Sequence, residues 1–166
     1  LIACLWIEGP SIFPYQTIYY TNRIFNRLAQ MNSYSPETTP EGTCGVTAEL
    51  TCSIGDDLWT MDERTLLHKV VEDMEAEGLV RADRVKDAML LRETHGYPIY
   101  DLAFEEHLHR LRQAVHEIPN LYVSGRQGMF NYAQMHYGVS SGMVVAQHLL
   151  QGGGKPALPA RGTEDA

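Results

Sequence analysis

The residues best suited to chemistry lie between 121 and 138, in the stretch LYVSGRQGMFNYAQMHYG. An apolar run ends in Gly125-Arg126-Gln127-Gly128, passes Met129, Phe130 and Tyr132, and enters a helical pattern through Gln134, Met135 and His136. A helix that starts just after a strand exposes unpaired N–H groups and the positive end of its dipole, which attract a phosphate or another electron-rich group. Gly125 and Gly128 allow close backbone approach or positive φ, and Arg126 can offer a phosphate two parallel hydrogen bonds. Farther along, Gly138, Ser140, Ser141 and Gly142 thin one helix face for close packing against a neighbour or a cofactor. The same residues also serve as strand-end punctuation and helix–sheet packing, so Gly-Arg-x-Gly alone leaves both an anion site and a structural turn open.

Other chemistries have less support. Cys4, Cys44 and Cys52 make no metal pattern and cannot all pair with one another, which points to a reducing compartment, and a cytoplasmic location is expected. His107 and His109 stand two apart on a predicted helix and so face different ways. No metal site is expected. Ser124, Ser140 and Ser141 lack the nucleophile elbow of a serine hydrolase. The net charge of -8 disfavours a nucleic-acid or anionic-membrane partner. No apolar stretch approaches the length of a membrane span, and LIACLWI is too short, and lacks the basic flank, for a signal peptide.

The elements that must position these residues follow from periodicity and punctuation. At 166 residues one domain is the default. LIACLWI, closed by Gly9-Pro10, predicts a strand covered on both faces. Residues 16–20 and 23–31 predict two more strands, the second alternatively a short helix, and 32–42 is a loop dense in turn formers. Residues 43–52 predict a strand of a half-buried sheet. At Thr60 the period changes: Thr60-x-x-Glu63 resembles a capping box, Leu66, Val70 and Met74 repeat at four-residue spacing, and Gly78 is a C-terminal stop. A strand over 85–96 and an extended link at 97–101 lead to a second amphipathic helix. Phe104, Leu108, Leu111, Val115 and Ile118 mark its inner face, and Pro119 closes it. NLYVSG is the next strand, and a last helix runs from about Tyr132 to Leu150. The order predicts an α+β, α/β-like fold with a strand–turn–helix unit near its end. Residues 151–166 are expected to be a disordered tail.

The segment NLYVSGRQGMFNYAQMHYGVSSGMVVAQHLL resembles the C-terminal flavin-contacting segment of the superfamily of FAD-dependent amine oxidases, protoporphyrinogen oxidases and UDP-galactopyranose mutases. RIFNRLAQMNSYSP, TAELTCSIGDDLWTMDERTLLHKVVEDMEAEGLV and ETHGYPIYDLAFEEHLHRLRQAV are similar to the substrate-domain pattern of the same group. The resemblance implies a substrate-domain sheet with helices over 1–118. It implies the closing strand and helix of an FAD-binding Rossmann-type domain over 119–150. By it, Gly125, Arg126, Gly128, Met129, Phe130, Tyr132, Gln134, Met135 and His136 are FAD-contacting residues, with Arg126 near the pyrophosphate, Gly128–Tyr132 beside the flavin, and N–H groups near Gln134 and Met135 facing the pyrimidine edge. Relatives often carry an acidic residue around 134–136, where this chain has Gln134-Met135-His136.

The G-x-G-x-x-G unit that opens such an FAD fold is not present in the sequence. The chain is therefore expected to be the C-terminal part of a flavoprotein, with an N-terminal FAD-binding half on the same or another chain and a small-molecule substrate. On its own it is expected to bind FAD weakly or not at all. Three functions compete: part of an FAD-dependent, amine oxidase-like oxidoreductase; a mutase-like flavoenzyme acting on a nucleotide sugar; and a non-catalytic interaction domain that has lost the cofactor. The catalytic residues are not assigned. Tyr97, Tyr100, Tyr132 and Glu49 are polar candidates, and Arg23, Arg27 and Arg92 are candidates for a substrate diphosphate and equally for plain surface charges. A core or rim role competes for each tyrosine.

Overall fold

The computed structural model describes residues 1–152, so the expected tail lies outside the described residues except for Gln151 and Gly152. Packing divides the chain into two compact units, Leu1–Thr94 and the residues from His95 onward. This division by packing is a different one from the partition at 118/119, which followed expected cofactor contact.

In the first unit, alternating side chains build an antiparallel sheet of β1 (Ile2–Glu8), β2 (Thr17–Tyr19), β3 (Arg27–Gln30), β4 (Thr43–Glu49) and β5 (Val85–Leu91), in the order β2-β3-β4-β1-β5. Every pairing is antiparallel. With the helices described below, this makes a mixed α+β fold. In the central pair, Ala3, Leu5 and Ile7 stand opposite Ala48, Val46 and Cys44, and all six are buried. Helix α1 (Asp57–Thr60) leads into α2 (Glu63–Ala76), whose Leu66, Val70 and Met74 join the same core. The period of two sends Ile2, Cys4 and Trp6 to the opposite face, where Trp6 is 45 % exposed. The expectation that both faces of 1–7 are covered is corrected accordingly: α2 covers one face of the sheet.

Local chemistry explains the boundaries. Thr60 does not cap α2; it closes α1, its hydroxyl donating to the Asp56 carbonyl at 3.0 Å. The cap is Asp62, whose carboxylate accepts the Thr65 N–H at 2.9 Å. At the other end Gly78 takes φ +70, its N–H bonds the Glu75 carbonyl, and the Leu79 N–H bonds that of Met74. That pair of bonds is a Schellman motif with glycine at the left-handed position. Only Arg27–Gln30 of the expected strand 23–31 joins the sheet. Upstream of it, α2 holds the chain, with Arg23 paired to Glu77 and the Ile24 N–H on Asp73 at 2.7 Å. The outer edge of β5 is partly blocked: Glu63 accepts the Leu90 N–H at 3.0 Å, and Arg92 donates to the Met61 and Trp59 carbonyls at 2.7 and 3.3 Å.

The second unit contains α3 (Phe104–Glu117), α4 (Gly125–Gly128) and α5 (Met135–Leu150). The strand expected at 120–125 does not form among the described residues. An extended run becomes a strand only by exchanging hydrogen bonds with a partner, and all sheet pairing here falls within the first unit. Helix α5 starts at Met135 rather than near Tyr132: Gln134, its N-cap, is still extended with ψ 173, and the Tyr132 N–H is bonded to the Tyr100 hydroxyl at 3.2 Å. No helix among the described residues is long and apolar enough to cross a membrane.

Candidate functional site

The Gly-Arg-Gln-Gly turn forms a single helical turn, α4, whose ends are both unusual. At its start Gly125 adopts φ +72 and gives its N–H to the Ser141 hydroxyl at 2.9 Å, which links α4 to α5. A Cβ added at Gly125 would meet nothing within 4 Å, so the need for glycine there comes from the backbone and not from space. At its end the Asn131 N–H bonds the Arg126 carbonyl and the Phe130 N–H bonds that of Gln127, both at 3.1 Å. This is the same Schellman pattern that closes α2, but the left-handed position is filled by Phe130, with φ 49. A non-glycine residue there costs about 1–2 kcal/mol.

Rings surround that strained residue. Phe130 lies 5.8 Å from Tyr100 and 6.5 Å from Phe104, and Tyr100 lies 5.0 Å from Tyr132, edge to face. The Tyr100 hydroxyl donates to the Phe130 carbonyl at 3.3 Å, and that of Tyr132 donates to the Pro98 carbonyl. Met129 is 3 % exposed, the most buried of the FAD-contacting candidates. Gly128 ends α4 against Val123, 3.4 Å from where a Cβ would stand.

Arg126 faces two rings, its guanidinium carbon 5.3 Å from the centre of Tyr97 and 5.5 Å from that of Tyr132. No carboxylate pairs with it among the described residues. The charge is held in place by aromatic faces, and no carboxylate covers its hydrogen-bonding edges among the described residues. Gln134 is the N-cap residue of α5, and Met135 and His136 form its exposed first turn. That N-terminus has neither a side-chain cap nor an acidic residue. Gly138 and Gly142 have open space where a Cβ would stand, so within the described residues nothing packs against those two positions.

The first unit holds the other polar candidates. Arg27 and Glu49 form an ion pair across β3 and β4, in register with Tyr19 and Ile2 on the sheet face turned away from α2. That face also carries Cys4, Trp6, Met89 and Leu91. Arg23 and Arg92 are engaged by Glu77 and by main-chain carbonyls, as described above. Burial raises the pKa of Cys44, which donates to the buried Gln30 amide oxygen at 3.3 Å, and that of Cys4. No group of three or more potential metal ligands gathers among the described residues.

One residue at the site escaped the sequence reading. Arg112 takes a half-buried position on α3 in line with Phe104 and Leu108, while Leu111, expected on the inner face, is 64 % exposed. Its guanidinium donates to the Met129 carbonyl at 3.0 Å. The signal was the four-residue spacing 104, 108, 112, which puts an arginine on the inner stripe.

No family model matches the chain, and no curated protein matches its sequence. Among solved structures, reduced UDP-galactopyranose mutase matches it with a TM-score of 0.73 and 18 % identity. The match covers 90 % of this chain and 33 % of that one, so the chain spans about a third of the length of the solved chain it resembles. At this identity the likeness is one of fold.

Proposed function

We propose that the chain supplies the sheet domain and the closing flavin-contacting segment of an FAD-dependent enzyme. The observation that carries this reading is the mutase-like fold over 90 % of the chain. The local chemistry fits an anionic dinucleotide: Arg126 has no carboxylate partner, and the N-terminus of α5 has no cap of its own. In this reading Arg126 holds the pyrophosphate. Gly125 and Gly128 let backbone approach it, Phe130 and Tyr132 line the ring with Met129 buried behind them, and Gln134, Met135 and His136 present N–H groups to its pyrimidine edge. FAD, when bound, supplies the electron-transfer chemistry. An N-terminal nucleotide-binding half, on the same or another chain, completes the site, and the sheet face with Glu49 and Trp6 meets a small-molecule substrate.

The reaction is an oxidation of the amine oxidase kind. The fold likeness favours a second reading, mutase-like chemistry on a nucleotide sugar, because the solved neighbour is a UDP-galactopyranose mutase. Purifying this chain alone and joined to its N-terminal half tests the proposal. Stoichiometric flavin absorbance is expected only in the joined form. A joined form that stays colourless when FAD is supplied would overturn it.

A further inference from the structure

We propose that Arg112 and Tyr100 are positioning residues for the Arg126 loop: they hold Met129–Tyr132 in the left-handed turn that presents the loop to its ligand. That this ligand is a flavin rests on the preceding reading.

The loop does not choose this conformation by itself. A helix of one turn is far below the length at which helices persist alone, and its left-handed closing position holds Phe130 where α2 uses Gly78. Strained backbone persists only where the surroundings over-determine it. Here the surroundings are two side chains from outside the loop. Arg112 donates to the Met129 carbonyl at 3.0 Å. The Tyr100 hydroxyl donates to the Phe130 carbonyl at 3.3 Å and accepts the Tyr132 N–H at 3.2 Å, which uses both its roles. Peptide groups on both sides of the strained residue are thereby fixed.

The placement of Arg112 has no other evident purpose. No carboxylate pairs with it among the described residues, and its buried Nε has no hydrogen-bond partner there. A guanidinium on the inner stripe of α3 is costly to desolvate, and its only hydrogen bond among the described residues is to the loop. It also brings a second cation without a carboxylate partner to the loop that carries Arg126, which favours an anionic ligand.

The test is amide hydrogen exchange on the full 166-residue chain, read at Phe130, Asn131 and Tyr132. Arg112→Leu, which loses one hydrogen bond, is expected to speed exchange there by about tenfold, and Tyr100→Phe, which loses two, by at least as much, with α2 amides unchanged. Arg112→Lys should restore protection, because one ammonium N–H can replace the one guanidinium bond used. FAD titrated against the joined, flavin-binding form of the same variants should bind about tenfold more weakly in the first two and normally in the third. Unchanged loop exchange overturns the proposal, as does faster exchange with unchanged FAD affinity. Should Arg112→Leu unfold α3, seen as rapid exchange at Leu108 and Val115, Tyr100→Phe decides, since it removes a single oxygen. Failure of the wild-type joined form to bind FAD would count against the proposed function, while the exchange ratios would still decide the positioning role.

Discussion

The guanidinium carbon of Arg126 lies 5.5 Å from the centre of the Tyr132 ring and meets no carboxylate among the described residues. An arginine held this way contributes to the fold through its ring contacts, about 0.5–1 kcal/mol at an exposed site. Its contribution to ligand binding should be larger. Arg126→Ala in the joined protein should weaken FAD binding by roughly 1.5–3 kcal/mol, the range for a hydrogen bond to a charged group. Arg126→Lys should recover only part, since lysine keeps the charge and loses the two-pronged geometry. Isothermal titration with FAD and denaturant melts of the apo variants separate the two effects. Unchanged affinity with a strongly destabilised apo protein would make Arg126 a structural residue.

Leu66 and Leu111 give a contrast within the helices. Leu66 is fully buried between α2 and the sheet, and Leu66→Ala should cost about 2–5 kcal/mol, transfer and cavity together. Leu111, although it fits the apolar period of α3, is 64 % exposed, and Leu111→Ala should change stability by less than about 0.5 kcal/mol. Urea unfolding of both variants checks the pair, and a large loss at Leu111 would mean that a partner or neighbouring surface covers it.

The difference between those leucines shows what the sequence made legible. Leu66, Val70 and Met74 were readable because a helix on a sheet needs a regular apolar stripe, and Gly78 was readable because the left-handed stop selects glycine. Trp6 was misplaced because an apolar run does not state how many sheet faces will be covered. The run at 120–125 was misread as a strand because strand formation depends on a partner that local sequence does not specify. Phe130 and Arg112 were the least legible, since one violates local preference and the other breaks the apolar period. Both violations occur at the loop to which the FAD contacts were assigned, where tertiary contacts override local propensity.

Asp62 should make the stability of the first unit sensitive to acid. Hydrogen bonds donated to it by the side chain and the backbone N–H of Thr65 hold the Asp62 carboxyl below its ordinary value of 3.8. The folded state therefore binds the proton less readily than the unfolded state. The stabilisation is present above the unfolded value and is lost as the pH falls through the lowered one. Asp62→Asn keeps an acceptor for the cap and should remove this part of the acid dependence, whereas Asp62→Ala should lower the melting temperature at neutral pH as well. Thermal melts between pH 2 and pH 7, a window spanning the carboxylate range, check this, and identical acid profiles for wild type and Asp62→Asn would refute it.

Helix α5 supplies the test of what completes the fold. It runs for 16 residues with no buried side chain, although Met135, Val139, Met143 and Leu150 are 86, 60, 58 and 88 % exposed. An amphipathic surface helix keeps its apolar residues on one covered face; a helix apolar on most sides belongs inside a larger body. Gly138 and Gly142 have room for a close neighbour on the same helix. In the proposed flavoprotein that neighbour is the N-terminal nucleotide-binding half. Replacing both Val139 and Met143 by lysine should then leave the melting of the first unit unchanged, because neither residue belongs to its core. The same change should abolish association with the N-terminal half and flavin retention, since two charges buried at such an interface would have no partners. Co-purification of the two halves, with flavin absorbance as the second readout, decides the matter. If the doubly substituted chain still assembles and holds FAD as tightly as the wild type, α5 is not the surface that the proposed N-terminal half covers.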